Sequence, residues 1–288
     1  MHMKYKAIYF DWDGTAVASR ISPADKILRP MIELLKKGVK LIIISGTTYN
    51  NIAFGKIHEL IPVECQANLF LGLGRGAYNY GIKEGKPYLL SENILNVDKK
   101  SKLDKVCFDI HQCLWEKYSL HTDIVFSRPN YCKIDLMVDN DRKDSLFLQE
   151  NEIDCVNEML REHKIEGGLK QLIDLSETIG NNNNMPVKAT TDAKYLEVGI
   201  TTKSDNVDYF VNYFHKHDHI TIEDCCFCGD EFTCLSDGVY GSDSQMITQR
   251  TKTAKFLDVS VCARLLPKEV DHIGGGVEGF QNFLESQI

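Results

Sequence analysis

The stretch Tyr5-Lys-Ala-Ile-Tyr-Phe-Asp-Trp-Asp-Gly-Thr15 decides the fold. Its first six residues are largely apolar and β-prone, which predicts a buried strand. Two carboxylates, Asp11 and Asp13, follow this strand directly. The loops that follow parallel strands meet outside the carboxyl edge of the sheet, where ligands bind. Two carboxylates two residues apart in such a loop can serve one cation and still differ in role. An Asp-Gly turn with a spare acid is the alternative.

The next segments alternate between helical and strand patterns. After the first strand the sequence predicts helix Pro23–Lys37, with a kink or a later start at Pro30 and Gly38 as its C-cap, then strand Lys40–Ile44, helix Asn51–Leu60 and strand Asn68–Leu71. Strand–helix–strand–helix–strand at this spacing predicts parallel βαβ units.

Between residues 83 and 192 the pattern changes, which predicts an inserted domain. The expected elements there are helices Val97–Glu116 and Glu152–Glu162, strands Thr122–Phe126 and Lys133–Val138, and a loop at Asn181–Pro186. The pattern then predicts strand Leu196–Ile200, helix Asp205–His215, and strands Cys225–Cys228, Gln245–Thr248 and Leu257–Val261. The predicted fold class is α/β: a Rossmann-like parallel sheet core from residues 1–82 and 193–288, interrupted by an inserted α+β cap domain of residues 83–192.

The composition is that of a soluble globular protein. The chain has 288 residues, more than one core comfortably supports, with 43% hydrophobic and 26% charged residues. A net charge of −8 argues against a nucleic-acid partner, although one local positive pocket would suffice for a small phosphorylated substrate. No apolar run approaches the roughly 18 residues that a membrane helix needs. The N-terminus shows no apolar signal region, so we expect a cytoplasmic protein without a membrane partner.

Ten cysteines do not imply a disulfide framework in a chain of this length without a secretion signal. Cys225, Cys226 and Cys228 lie in an apolar run that ends at Gly229-Asp230. A buried strand explains this cluster better than a metal site, because no second Cys or His pair lies nearby at zinc-ligand spacing.

Three further segments place polar groups at predicted strand ends. Ser45-Gly46-Thr47 offers a hydroxyl and backbone N–H groups that suit an anion, although an ordinary N-cap is the alternative. Lys203 stands just before a helix, where a cation can hold both a phosphate and a carboxylate; a solvated surface lysine is the alternative. Gly229-Asp230 repeats the strand-then-carboxylate pattern, and Asp243 follows shortly after. Hard oxygen ligands of this kind suit Mg²⁺, and Mn²⁺ accepts them as well.

In this order, the four motifs resemble those of the haloacid dehalogenase superfamily of phosphohydrolases, and the resemblance covers the whole chain in outline. The long insertion resembles the α/β cap of Cof-type sugar phosphatases and of phosphomannomutase. By this resemblance Asp11 is the nucleophile and Asp13 the general acid and base, with Lys203 as the third catalytic residue. Phosphate binding is expected at Thr15, Ser45, Gly46, Thr47 and Lys203, and Mg²⁺ binding at Asp11, the backbone carbonyl of Asp13, Asp230 and Asp243.

The sequence departs from the family pattern in two places. Thr47 stands where the family often has an arginine, which leaves one fewer cation near the substrate. The fourth motif, which usually continues closely to Asn-Asp, is followed here by an apparent insertion. Asp243 matches the missing acid through the surrounding Gly-x-Asp-x-x-Met pattern, and Asp237 is the alternative.

Gly72-Leu-Gly-Arg-Gly-Ala77 fits a dinucleotide-binding pattern after a strand. The residues that follow it do not begin an amphipathic helix, so a Gly-rich turn entering a hairpin is the better interpretation. Arg128 lies at the end of a strand-like run in the insert, where it could bind a second anionic or hydroxyl group of a substrate; an exposed strand-end arginine is the alternative.

The sequence therefore predicts a Mg²⁺-dependent phosphomonoester hydrolase that acts on a small phosphorylated metabolite, expected to be a sugar phosphate. Its reaction would pass through an aspartyl-phosphate. A phosphosugar mutase with the same nucleophile and a catalytically silent ligand-binding module remain the alternatives.

Overall fold

The computed structural model describes residues 4–138, 150–262 and 264–288. In chain order the elements are β1 (Ala7–Phe10), α1 (Asp25–Lys36), β2 (Lys40–Ser45), α2 (Ile57–Leu60), β3 (Leu69–Leu73), β4 (Tyr78–Lys83), β5 (Lys86–Glu92), α3 (Val97–Tyr118), β6 (Asp123–Val125), β7 (Tyr131–Asp135), α4 (Glu150–Glu162), α5 (Gly168–Asn182), β8 (Lys188–Thr191), β9 (Tyr195–Gly199), α6 (Lys203–Asp218), β10 (Cys225–Gly229), β11 (Cys234–Ser236), β12 (Val239–Tyr240), β13 (Lys255–Asp258), β14 (Val270–His272) and α7 (Gly276–Gln287).

The chain forms two compact units. The core unit combines Met1–Asn93, Lys203–Phe232 and Asp243–Ile288, and the second unit combines Ile94–Thr202 with Thr233–Ser242. Within the described residues, the main sheet of the core unit has the strand order β14-β13-β10-β1-β2-β3-β4-β5. The strands from β14 to β3 run parallel, and β4 and β5 extend the sheet as an antiparallel hairpin. This is the predicted Rossmann-like α/β core.

Both faces of the main sheet are covered, which is why its central strands are apolar without interruption. Ile8 and Phe10 of β1 pack on one face in a cluster that includes residues of α1 and α7. Ala7 and Tyr9 of β1 pack on the other face with Val207, Phe210 and Phe214 of α6. Because side chains alternate along a strand, a run that is apolar on both faces lies in the middle of the molecule.

The second unit is α+β. Its sheet has the order β6-β7-β9-β8, with antiparallel pairing throughout. Its apolar core joins residues of α3, α4 and α5 to Leu235 and Val239 of the β11–β12 hairpin. The observed limits differ from the expected insert of residues 83–192. The β4–β5 hairpin belongs to the core sheet, and β9 pairs in the smaller sheet. The β11–β12 hairpin, in Thr233–Ser242, is an additional part of the second unit. Within the described ranges, no helix is both long enough and apolar enough to cross a membrane.

The helix expected at Pro23–Lys37 is present as α1, and its predicted end at Gly38 was correct. Helix α1 starts later than predicted and continues through Pro30. Gly38, with φ +83°, ends the helix. The N–H groups of Gly38 and Val39 donate to the carbonyls of Leu35 and Leu34, which satisfies carbonyls of the last turn.

Two predicted elements were wrong. The expected helix Asn51–Leu60 is broken, because Ala53 and Phe54 have φ of 46° and 56°, so only Ile57–Leu60 is α-helical. The expected strand Gln245–Thr248 is replaced by a 3-10 turn at Ser242–Met246. Helices α5 and α7 and strands β8, β11, β12 and β14 were not predicted. The strand predictions at Thr122–Phe126 and Lys133–Val138 correspond to the shorter β6 and β7.

Candidate active site

Asp11 lies where β1 ends, at the carboxyl edge of the main sheet. Its backbone N–H donates to the carbonyl of Cys228 on the neighbouring β10 over 3.1 Å. The residue is only 6% exposed. Its Oδ1 accepts a hydrogen bond from the Nζ of Lys203, the first residue of α6, over 2.8 Å. The buried strand thus delivers a carboxylate directly to a buried ammonium group.

Lys203 also contacts Asp243, so one ammonium joins two carboxylates. Its Nζ lies 2.7 Å from Asp243 Oδ1, while Asp243 Oδ2 accepts the backbone N–H of Glu231 over 2.9 Å. Burial lowers the pKa of Lys203, but Asp11 and Asp243 outweigh burial and raise that pKa above its usual value. Lys203 is therefore held as an ammonium ion between two acids.

Asp230 follows β10 and is held by Thr15. The Thr15 hydroxyl donates to Asp230 Oδ1 over 2.7 Å. Gly14 makes this approach possible, because a Cβ there would lie 2.1 Å from Asp230 Oδ2. Gly14 also has φ +90°, which favours glycine. Gly229 has a similar role for Asp243, whose Oδ2 would lie 2.3 Å from an added Cβ. Both glycines leave space for a carboxylate.

Asp13 pairs with Arg20, which the sequence analysis did not identify. Arg20 Nη2 lies 3.2 Å from Asp13 Oδ2, and the Arg20 side chain is 31% exposed. The turn that follows Asp13 is closed by the Gly14 N–H, which donates to the Val17 carbonyl over 2.7 Å. Arg20 follows in an irregular segment, so no periodicity in the sequence links it to Asp13.

Ser45 is the last residue of β2 and Thr47 lies in the loop that follows, and each is 4% exposed. The Thr47 N–H donates to Ser45 Oγ over 3.3 Å, and Asn51 Nδ2 donates to Thr47 Oγ1 over 2.6 Å. The helix expected to start here is broken, so backbone N–H groups are supplied by the loop and not by a regular helix N-terminus. Gly46 lies between the two hydroxyl residues.

Acidic groups outnumber basic ones at this edge. Burial raises the pKa of Asp11 and of Asp230 well above the usual value, and neighbouring carboxylates raise both further. Lys203 and Arg20 are the bases with which the acids of the site pair. Such a donor set fits a divalent cation, whose charge would favour the ionised form of these acids.

The donors are oxygen atoms of the kind that Mg²⁺ accepts, and Mn²⁺ accepts them as well. Among the described residues, no three His, Cys, Asp or Glu side chains are gathered as a ready-made metal site. Mg²⁺ usually keeps several waters and is held by one or two carboxylates together with substrate phosphate. Asp11, Asp230 and the backbone carbonyl of Asp13 would be sufficient protein ligands by this criterion.

The remaining predicted residues lie elsewhere. Asp237 falls in the turn of the β11–β12 hairpin of the second unit, whereas Asp243 belongs to the core unit and contacts Lys203. Arg128 is half-buried in the β6–β7 loop of the second unit.

Two sequence patterns have structural explanations. The segment Gly72–Ala77 turns from β3 into the antiparallel β4 and not into a helix, which removes the basis for a dinucleotide site. Cys225, Cys226 and Cys228 are buried in β10, as predicted.

The fold has clear counterparts among solved structures, although no protein-family model and no curated protein sequence matches the chain. An IMP-bound, N-terminally truncated IMP-nucleotidase of Plasmodium falciparum aligns with a TM-score of 0.61 at 13% identity, covering 99% of this chain and 68% of that one. The sucrose-phosphatase of Synechocystis sp. PCC6803, in complex with sucrose and phosphate, aligns with a TM-score of 0.56 at 14% identity, covering 99% and 97%.

These two neighbours are phosphatases of the haloacid dehalogenase superfamily. At such identities the likeness concerns the fold, and it confirms the haloacid dehalogenase-like fold that the four motifs predicted. The finer resemblance to Cof-type enzymes remains a prediction.

Proposed function

We propose that this chain is a Mg²⁺-dependent phosphomonoester hydrolase that acts on a small phosphorylated metabolite through an aspartyl-phosphate intermediate. The observation that carries the proposal is the buried bridge of Lys203 between Asp11 and Asp243 at the carboxyl edge of the sheet. A purely structural ion network has no need for Asp13 and Asp230 at the same edge, beside hydroxyl groups suited to a phosphate. In the proposed mechanism each of these residues has a role.

In the proposed reaction, a carboxylate oxygen of Asp11 attacks phosphorus in line with the ester oxygen. The ester P–O bond breaks as the Asp11–phosphorus bond forms, and Asp13 gives its proton to the leaving oxygen. Asp13 then takes a proton from water, which attacks the phosphorus of the aspartyl-phosphate. Phosphate leaves and the Asp11 carboxylate is restored. Arg20 would orient Asp13 between these steps.

Lys203 would have two effects in this reaction. It holds Asp11 in place through a 2.8 Å contact, and its charge favours the carboxylate form that attacks. The Ser45 and Thr47 hydroxyls, with the intervening Gly46 N–H, would hold the transferring phosphoryl oxygens. Mg²⁺, held by Asp11, Asp230 and the Asp13 carbonyl, would supply neutralisation of the phosphoryl charge.

The second unit is proposed to select the substrate, with Arg128 as a candidate contact for a further anionic or hydroxyl group. One of the two neighbouring structures contains IMP, and the other contains sucrose and phosphate. A substrate screen should therefore contain nucleoside monophosphates as well as sugar phosphates.

The test is phosphate release from an aryl phosphate and from that panel, with Mg²⁺ and with a chelator, for wild type and Asp11→Asn. We expect metal-dependent release that Asp11→Asn abolishes, because an amide cannot replace the carboxylate nucleophile. Asp109→Asn, the same change on α3 of the second unit, should retain wild-type release. Wild-type turnover by Asp11→Asn would exclude the mechanism. Formation of an isomeric phosphate without free phosphate would instead indicate a mutase.

A further inference from the structure

Asn206 is a fully buried amide, 0% exposed, in the first turn of α6. It lies three residues after Lys203, and residues at this spacing are neighbours on a helix. Its Oδ1 accepts the backbone N–H of Gly76 over 2.6 Å. Its Nδ2 donates to the Tyr78 carbonyl over 3.1 Å and to Asn79 Oδ1 over 2.9 Å. The amide therefore uses both its acceptor and its donors on one segment, the turn after β3 together with the first two residues of β4.

The same turn is bonded to the loop after β2. The Gly74 N–H donates to the Thr47 carbonyl over 3.0 Å. One short segment of residues 74–79 thus contacts the helix that carries Lys203 and the loop that carries Thr47. We call this segment the β3–β4 turn. Its hydrogen bonds connect the cationic and the hydroxyl sides of the candidate active site.

The sequence provides space for this connection at Gly72. A Cβ at that position would lie 2.7 Å from the Asn206 Cβ and 2.8 Å from Ile44 Cδ1. No real side chain fits at these distances, so glycine allows α6 to approach β3 closely. The glycine pattern that resembled a dinucleotide site instead serves close packing of α6.

We infer that Asn206 is a positioning residue, which fixes Lys203 relative to the Thr47 loop through the β3–β4 turn. The inference rests on the proposed function, because it names a residue that supports the same site. Asn206 acts through Lys203 and Thr47 and need not touch the substrate. A misplacement of about 1 Å at a reacting group can cost on the order of a hundredfold in rate. Loss of Asn206 should therefore lower turnover, in addition to the stability that is lost with the three hydrogen bonds of this buried amide.

The experiment compares Asn206→Ala, Asn206→Asp and the matched control Asn68→Ala. Asp at position 206 keeps the size and the acceptor for Gly76, but an ionised carboxylate cannot donate to Tyr78 or Asn79. Asn68 also makes two hydrogen bonds, to the Leu35 carbonyl and from Lys40, at the opposite end of β3. Each variant is assayed for kcat, KM, melting temperature and amide hydrogen exchange.

We expect both Asn206 variants to lose about tenfold or more in kcat while Asn68→Ala keeps the wild-type kcat. Amides of the β3–β4 turn and of the first turn of α6 should exchange faster in the Asn206 variants alone. The Asn206 variants would then have a lower kcat than Asn68→Ala, and this difference should remain when kcat is compared at a temperature where all the proteins are folded. Wild-type kcat and KM in both Asn206 variants would overturn the inference.

Failure of the proposed function gives a different result. In that case wild type itself releases no phosphate with Mg²⁺ from any compound of the panel. Hydrogen exchange then tests the positioning role of Asn206 without an activity assay. Faster exchange in the β3–β4 turn and in the first turn of α6 supports that role, and unchanged exchange refutes it.

Discussion

The lack of a side chain at Gly14 leaves the space that the Asp230 carboxylate occupies. A Cβ at this position would lie 2.1 Å from Asp230 Oδ2, so Gly14→Ala must push Asp230 away from Thr15. We predict that this change lowers kcat by about tenfold or more, because it displaces a proposed metal ligand. Phosphate release at saturating Mg²⁺ measures the effect.

Gly38→Ala is the control that separates displacement from backbone strain. Gly38 has φ +83°, close to the +90° of Gly14, but nothing lies within 4 Å of an added Cβ. Both changes should cost about 1 kcal/mol of stability through backbone strain, and only Gly14→Ala should reduce activity. Equal activities in the two variants would contradict the role given to Gly14.

Tyr9 carries a hydroxyl that the core does not use. The side chain is 0% exposed and stacks on Phe227 with ring centroids 4.5 Å apart. Within the part of the chain that the structure describes, its hydroxyl has no hydrogen-bond partner, and burial raises the pKa of the phenol well above its usual value. We predict that Tyr9→Phe increases the free energy of unfolding by about 1 kcal/mol, measured by urea denaturation.

Tyr49→Phe should have the opposite sign. The Tyr49 hydroxyl is hydrogen-bonded to His58 Nδ1 over 2.8 Å, so its removal breaks a contact and leaves the imidazole without it. A loss of stability in both tyrosine variants would show that the Tyr9 hydroxyl makes a favourable interaction after all.

At the scale of elements, prediction from the sequence succeeded where hydrophobic pattern and turn chemistry agree. The strands β1, β2 and β10 are short apolar runs, and polar residues at or just after their last positions mark their ends. Gly38 marks the end of α1 in the same way. The helix expected from Asn51 failed because Ala53 and Phe54 adopt positive φ, a conformation that no periodicity indicates. The strand expected at Gln245 is not formed. The apolar residue Met246 is buried in the core, but it lies in a 3-10 turn and not in a strand.

The candidate site divides in the same way. Asp11, Asp230 and Lys203 could be found from the sequence because each stands at the boundary of a regular element. Arg20, Asn51 and Asn206 could not, because their partners are distant in the chain or lie in irregular segments. Burial and hydrogen bonding identify such residues, and neither is visible in a motif.

The 3-10 turn Ile222–Asp224, just before β10, gives a prediction about pH. Asp224 Oδ2 accepts the Thr221 N–H over 3.1 Å and lies 3.0 Å from Lys6 Nζ. Burial by itself would raise the pKa of Asp224, but these contacts outweigh it and lower the pKa. We predict that Asp224→Asn costs about 0.5 kcal/mol of unfolding free energy at neutral pH, because it removes the charge that pairs with the exposed Lys6.

This cost should depend on pH with a definite sign. Because the native pKa of Asp224 is lowered, its stabilisation is complete above the unfolded value of about 4 and is lost as the pH falls through the native pKa. Unfolding curves of wild type and variant should therefore converge in acid. Asp237→Asn, at an exposed turn position, provides the comparison. A difference that is independent of pH would mean that the charge of Asp224 is not involved.

At the scale of the whole molecule, the fourth motif is interrupted because the chain leaves the core unit a second time. Residues Thr233–Ser242 belong to the second unit, where Leu235 is 6% exposed in its apolar core. Asn157 Nδ2 also donates to the Leu235 carbonyl over 3.0 Å. The apparent insertion before Asp243 is thus part of the hydrophobic core of another unit.

We predict that Leu235→Ala destabilises the second unit by about 3 kcal/mol, because it leaves a cavity in that core. Hydrogen exchange of α5 amides under increasing urea measures the change. Leu265→Ala removes the same atoms from a side chain that is 69% exposed, and it should change stability by less than about 0.5 kcal/mol. Unaltered protection of α5 in Leu235→Ala would mean that the hairpin does not support this unit.

The burial of β10 also has a practical consequence for the thiols. Cys225, Cys226 and Cys228 lie inside the sheet, and among the cysteines that the structure describes Cys155 and Cys262 are the exposed ones. Cys155 belongs to the second unit and Cys262 to the core unit. A maleimide reagent should therefore react with these two thiols faster than with the half-buried Cys113 and Cys234. The natural sequence therefore carries an attachment point for an environment-sensitive dye on each unit, so that the unfolding of each unit can be followed separately.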